Sequence, residues 1–174
     1  MNRKIILAVA VLWFISILLF LAYAATQKVV AFDQDGKLWQ WSQQQKFDQV
    51  FTAKVTAELG EVTGKVIHFT QAHCDCNSVA DEHINSVKQL ASKQGYENQV
   101  IVLAKTSQLS SVIPATPAIA AFDKQGKLFY LGPYSAGYAC NVGNGIVESF
   151  LVKDVKNPIG ATVISDTQGC YCAT

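Results

Sequence analysis

The chain has 174 residues, with 14 basic side chains against 13 acidic ones and a net charge of +1. Arg3 is the only arginine, and the lysines and acids beyond Ala25 nearly cancel. Without a basic patch or guanidinium forks, the composition argues against nucleic-acid binding and against tight arginine recognition of phosphate or carboxylate.

The N-terminus, residues 1–4, carries Arg3 and Lys4, and residues 5–25 follow as 21 positions without a charge. At ~1.5 Å of rise per residue such a run crosses a hydrocarbon core of roughly 30 Å. A cleaved signal peptide has a shorter apolar core, of about 7–15 residues, so the run is read as an uncleaved transmembrane signal-anchor. The competing reading is a cut after Ala24, which Ala22-Tyr23-Ala24 would suit. Arg3 and Lys4 stay cytoplasmic by the positive-inside rule, which sends the rest outward. The expected location is the inner (cytoplasmic) membrane, single-pass, with the globular part on the periplasmic or extracytoplasmic side.

Residues 26–63 form a juxtamembrane segment with an opening strand and helix. Phe32-Asp33-Gln34-Asp35-Gly36-Lys37-Leu38 is echoed by Phe122-Asp123-Lys124-Gln125-Gly126-Lys127-Leu128. Asp near the start and Gly at the exit of each predict two hairpins, the second with strands at Ala118 to Phe122 and Lys127 to Leu131. Phe47, Val50, Phe51, Val55 and Leu59 recur at helical spacing and end at Gly60. Val66 to Phe69 reads as a buried strand. Ser78 to Gln94 is the clearest helix of the globular part, with Ala80, Ile84, Val87 and Ala91 inward, Gly95 as terminator, and Ser78 with Asp81 as a capping pair. Gln99 to Ala104 is a further strand, Ile146 to Leu151 a short helix, and Asn157 to Thr174 a tail with Pro158, Gly160 and a strand at Thr162 to Ile164. Helices alternating with strands, then a hairpin, predict an α/β fold: one mixed sheet flanked by helices.

Five cysteines carry the chemistry: Cys74, Cys76, Cys140, Cys170 and Cys172. In an oxidising compartment some should pair, and the odd count leaves at least one over. Cys74-Asp75-Cys76 lies between a buried strand and a helix. A helix N-terminus offers unpaired N–H groups and a positive dipole end, which favour thiolate. His73 adds a cation beside the sulfur, and Asp75 opposes it. If Cys74 bonded Cys76, the pair would sit in an irregular loop and close a small strained ring, and strained exposed disulfides are the oxidising ones. The alternative is a structural disulfide or an inert pair. Cys140 reads equally as a second redox partner, a buried small hydrophobe or a tail staple. Cys170-Tyr171-Cys172 is a second CxC, placed to relay disulfides, staple the tail or help bind metal.

Strand, Cys74, helix, strand and then Thr116-Pro117-Ala118-Ile119 opening a hairpin, with Gly132 after it, resemble the thioredoxin-like superfamily, in a membrane-anchored bacterial type with CxC in place of CxxC. The resemblance covers roughly Gly64 to Leu151 and implies a thioredoxin-like core at 64–152 with a cysteine-bearing tail at 153–174. It implies that Cys74 is the nucleophile, that Pro117 is cis beside it and presents backbone to an extended substrate, and that Thr116 modulates the site. Asn77 stands where that family's resolving cysteine sits, so the resolving role falls to Cys76 or Cys140.

Three functions compete. The first is a thiol–disulfide oxidoreductase of oxidase or isomerase type, acting on protein thiols or disulfides without cofactor or metal. The second is a copper or zinc binding or delivery protein, whose CxC pairs supply soft thiolates. His68, His73 and His83 lie near in sequence, yet a lone His on a strand or helix is more often packed or solvated than ligating. The third is an anchored, non-catalytic interaction domain in which the cysteines are staples and Trp39, Trp41, Tyr130, Tyr134 and Tyr138 are core or interface.

Overall fold

A computed structural model describes residues 3–26, 29–104, 106–137, 140, 142–143, 145–152 and 160–174, with only the backbone at 25 and 26. Met1, Asn2, Tyr138, Asn157 and Pro158, which the sequence reading drew on, lie outside the described residues.

The apolar N-terminal run is one helix, α1 (Arg3–Thr26), and over Arg3–Ala24 it is long and apolar enough to cross a membrane, with none of that stretch buried against the rest of the protein. A short strand β1 (Val30–Ala31) and two helices, α2 (Lys37–Ser42) and α3 (Phe47–Leu59), come next. Five strands then make the central sheet: β2 (Lys65–Gln71), β3 (Glu97–Leu103), β5 (Ala118–Phe122), β6 (Leu128–Gly132) and β7 (Thr162–Val163), with β4 (Ala115–Thr116) preceding β5 outside it. Helices α4 (Asp75–Lys93) and α5 (Glu148–Val152) and the tail strands β8 (Gln168–Gly169) and β9 (Cys172–Ala173) complete the order.

The sheet runs β3-β2-β5-β6-β7, with β2 parallel to β3, antiparallel pairing through β5 and β6, and β7 parallel to β6. It is the mixed sheet flanked by helices that the strand and helix order predicts. Side chains alternate along β2. Ile67 and Phe69 join Phe47, Phe51, Val55 and Phe122 on one face, under α3. Val66 joins Ala80, Ile84, Val87, Tyr130 and Leu151 on the other, under α4 and α5. Of the residues expected on the inner face of α3, Phe47, Phe51 and Val55 are buried, whereas Val50 is 41% exposed.

One of the two turn expectations is corrected. The second Asp…Gly motif is a hairpin: Asp123 Oδ1 accepts from the backbone N–H groups of Gln125 and Lys127, and Gly126 takes φ 73°. The first is not. Gly36, at φ 66°, leads into α2, and Asp33 Oδ2 accepts from Trp39 N at 2.8 Å, so the carboxylate secures a helix start instead of closing a hairpin. Nor does the opening strand enter the main sheet, because β1 pairs with β8 in a separate ladder.

Helix α4 starts three residues before the expected Ser78. Cys74 is extended at its N-cap (φ −105°, ψ 108°), so Ser78 lies inside the helix and the Ser78/Asp81 capping pair does not form. Its other end agrees with the sequence: Tyr96 N donates to Ala91 O and Gly95 N to Ser92 O, both at 3.0 Å, with Gly95 at φ 81°. This double return is the Schellman arrangement that left-handed glycine permits.

Candidate functional site

The four cysteines of the two CxC motifs form a pair of disulfides across the domain. Cys74 bonds Cys172, with Cα atoms 5.9 Å apart, and Cys76 bonds Cys170, with Cα atoms 5.4 Å apart. Neither motif closes on itself. The small strained ring considered for Cys74-Asp75-Cys76 is therefore absent, and with it the argument that the ring alone makes the site oxidising. The partners run in opposite chain order, 74 with 172 and 76 with 170, as across an antiparallel pair.

Local structure explains the fit. His73 turns the chain after β2 with a positive φ of 59° and is itself exposed. Asn77 Nδ2 ties the first turn of α4 back to Gln71 O at 2.7 Å. In the tail, alternation separates Cys170 and Cys172 from Tyr171. The tyrosine turns into the core, meets Phe32 edge-on at 5.2 Å between ring centres, and donates its hydroxyl to Ser135 O at 2.6 Å. Burial, as the leading cause, holds this hydroxyl above its ordinary pKa, and the nearby Cys140 adds to the rise. The tyrosine thus fixes which way the two sulfurs point.

The Thr116–Pro117 peptide bond is cis. Strand β4, ending at Thr116, pairs antiparallel with β9, with Thr116 opposite Cys172 and Ala115 opposite Ala173. Cys74 Sγ lies 3.9 Å from Thr116 O, a contact only, since a bridged sulfur carries no proton to donate. Cys74 and Cys76 are 7% and 8% exposed and Cys170 3%, whereas Cys172 is only partly buried. Three of the sulfurs, those of Cys74, Cys76 and Cys172, lie within 4.8 Å of one another, which is also the spacing of a soft-metal ligand set. Asp75 is exposed in the first turn of α4.

Cys140 stands apart from this cluster and is free. It packs against the α4/α5 side of the core, where nearby His83, ahead of Ser135, draws its thiol below the ordinary pKa against burial. Sequence reasoning weighed Cys140 as a partner for Cys74 and His83 as a packed or solvated side chain. It did not join the two. The signal was faint, because the residues lie on different elements and are 57 positions apart.

His68 proves to be a core side chain. Nδ1 accepts from the Tyr134 hydroxyl, and Nε2 donates to Asn98 Oδ1 at 2.8 Å. Burial pushes its pKa down from 6.5 to about 4, against the opposing bond to Asn98. The unfolded chain therefore binds more protons than the folded one between these values, and stability falls as pH drops from 6.5 toward 4. At ~1.4 kcal/mol per unit the full loss is about 3 kcal/mol. Urea unfolding at pH 7 and pH 4.5 should show most of this loss in the wild type and a smaller one in His68→Gln, which does not titrate. Equal losses in the two proteins would assign the acid sensitivity to other groups.

The model of a family described as "Domain of unknown function (DUF6436)" matches residues 43–174. That is most of the chain. The protein belongs to the DUF6436 family. The matched part contains both CxC motifs, the cis-proline and the tail, and it begins after α1, β1 and α2. No match was found among curated proteins, and none among solved structures.

Proposed function

We propose that the protein is a thiol–disulfide oxidoreductase with a thioredoxin-like core, tethered to the inner membrane by α1, and that it exchanges disulfides with partner proteins through the Cys74–Cys172 bridge. One observation carries this reading: an extended strand lies antiparallel on the segment before the cis-proline, and that strand is disulfide-bonded to the cysteine capping α4. The tail thus lies where the resemblance expects an extended substrate.

The oxidised bridge has an accessible end. Cys172 is partly exposed and Cys74 is covered, so an incoming thiolate attacks Cys172 Sγ and Cys74 leaves as thiolate. The N-terminus of α4 stabilises that leaving sulfur, and stabilised thiolates leave faster. A second substrate thiol then attacks the mixed disulfide and releases Cys172. Two substrate thiols become one disulfide, and the protein gains two thiols. The reduced protein acts as a reductant by a separate route: the Cys74 thiolate attacks a substrate disulfide, one substrate sulfur leaves as thiolate, and Cys172 then attacks Cys74 Sγ, re-forming the bridge and releasing the other.

Trapping distinguishes the roles. With the full chain in detergent and after mild reduction, Cys74→Ser leaves the Cys172 thiolate, and Cys172→Ser the Cys74 thiolate, to attack a disulfide-containing peptide and hold half of it as a mixed disulfide that no partner cysteine resolves. Mass mapping of both adducts is the expected result. Peptide adducts found only at Cys140, or none at all, would remove this reading.

The 4.8 Å sulfur cluster favours a second reading, soft-metal binding by Cys74, Cys76 and Cys172 after reduction of both bridges. Its test is metal content after reduction with a non-thiol reductant: stoichiometric copper or zinc in the wild type, lost in Cys74→Ser/Cys172→Ser.

A further inference from the structure

We infer that Cys140, His83 and Glu148 form a second reactive centre, a thiol held beside a buried imidazole–carboxylate pair, which attacks low-molecular-weight disulfides independently of the bridged cysteines.

The geometry begins with His83. It projects from α4, is fully buried, and bonds Glu148 Oε1 through Nε2 at 2.6 Å. Glu148, the first residue of α5, is also approached by the backbone N–H of Gly145 at 3.3 Å. A Cβ at Gly145 would collide with the His83 ring and Glu148 Oε2, so a glycine lets the chain close over the pair. The other ring nitrogen, Nδ1, is buried without a conventional hydrogen-bond partner among the described residues, and so is Ser135 Oγ. Cys140 packs against the same side of the core, and its thiol is electrostatically coupled to both side chains without a hydrogen bond to either. A buried imidazole between a carboxylate and a free cysteine has the parts of an activated nucleophile: thiol, proton acceptor and the group that orients it.

The electrostatics agree. The neighbouring His83 is the leading cause that draws the Cys140 thiol below its ordinary range, and Ser135 assists against burial. Burial opposes the charged form of His83, but the nearby Cys140 and the bonded Glu148 outweigh it and hold its pKa at about 9. The other titratable groups around the centre are Tyr134, whose ring meets His83 at 5.9 Å, Tyr130 near Glu148, and Tyr171 from the tail near Cys140. Burial is the leading cause holding all three hydroxyls above their ordinary range, so they stay neutral near pH 7.

In the reaction, a lone pair on the Cys140 thiolate attacks one sulfur of RS–SR. The S–S bond breaks, Cys140 is oxidised to the mixed disulfide Cys140–S–S–R, and the departing sulfur is reduced to thiolate. It takes the proton from the His83 imidazolium and leaves as RSH. His83 is left neutral and regains its proton from solvent.

The test uses the full chain in detergent with both bridges oxidised, so that Cys140 is its only free thiol. Its iodoacetamide alkylation rate is followed from pH 5 to 9.5, and its conversion by glutathione disulfide is followed at pH 7, both by mass spectrometry. In the wild type the alkylation midpoint lies well below about 8.5, the ordinary thiol value. Glu148→Gln raises it and His83→Gln returns it to the ordinary value. Full ionisation offsets the lower intrinsic nucleophilicity of a stabilised thiolate, so glutathionylation at pH 7 should run about tenfold faster in the wild type than in His83→Gln. Should His83→Gln fail to fold, Glu148→Gln carries the comparison by its shifted midpoint, a change that a purely structural carboxylate would not produce. A wild-type midpoint at the ordinary value, or one that neither variant moves, would overturn the inference. So would a thiol that is acylated by p-nitrophenyl acetate with turnover but ignores glutathione disulfide.

Discussion

Serine at Cys74, Cys76, Cys170 and Cys172 together is expected to destabilise the domain by about 7 kcal/mol, against about 2 kcal/mol for loss of either bridge alone. The asymmetry arises from how the loops nest. The bridges span separations of 98 and 94 residues. Whichever closes first removes the entropy of a loop of that length from the unfolded chain, about 4.7 kcal/mol. The second then closes only a ring formed by residues 74–76 and 170–172, which by the same relation contributes about 2 kcal/mol. Each bridge therefore covers for the other. Since a domain's whole stability is about 5–15 kcal/mol, the fourfold variant falls to the edge of folding. The Cys76→Ser/Cys170→Ser and Cys74→Ser/Cys172→Ser proteins should each melt roughly 4–8 °C below the wild type. Equilibrium unfolding of the three variants measures the difference. If each paired variant lost as much as the fourfold one, the loops would not be nested as the structure has them.

Activity should divide differently from stability. Cys74→Ser/Cys172→Ser is expected to lose disulfide exchange with a dithiol peptide by about 100-fold or more, while Cys76→Ser/Cys170→Ser keeps most of it. Both variants lose one bridge and the same loop entropy, so stability cannot separate them. Position does. Cys172 is the partly exposed sulfur and lies opposite Thr116, and Cys74 sits at the helix cap as leaving group, whereas Cys76 lies in the first turn of α4 and Cys170 is 3% exposed. Initial rates against a model dithiol peptide, measured at one temperature below both melting transitions, give the comparison. Equal rates in the two variants would reduce the Cys74–Cys172 bridge to a staple.

Much of the central unit was legible because its signals are local. The apolar face of α4, the glycine that ends it and the Asp123 turn each depend on residues within a few positions of one another. The disulfide partners were not legible. Cys74 and Cys172 meet only because the tail crosses the domain, and no local pattern encodes that path. In hindsight one hint existed: two CxC motifs share one spacing, so two segments could meet with both pairs of sulfurs in register. The near-identical motifs around Asp33 and Asp123 diverge for a related reason. An Asp…Gly turn does not dictate the element after it, and the flanks of the first, rich in Trp and Gln, continue as α2. The Cys140–His83–Glu148 grouping joins a loop and two helices and required the fold to be seen.

The ladder between β1 and β8 sets how far the molecule can range. Only residues 27–29 separate the end of α1 from Val30, and Val30 lies opposite Gly169, the neighbour of Cys170. At ~3.5 Å per residue that length of chain reaches at most about 14 Å. With α1 in a bilayer, the sulfurs patrol a thin shell against the lipid surface and not the bulk solution. Under the proposed anchoring, so short a connection would raise the local concentration of neighbouring membrane proteins and leave distant soluble chains outside the search volume.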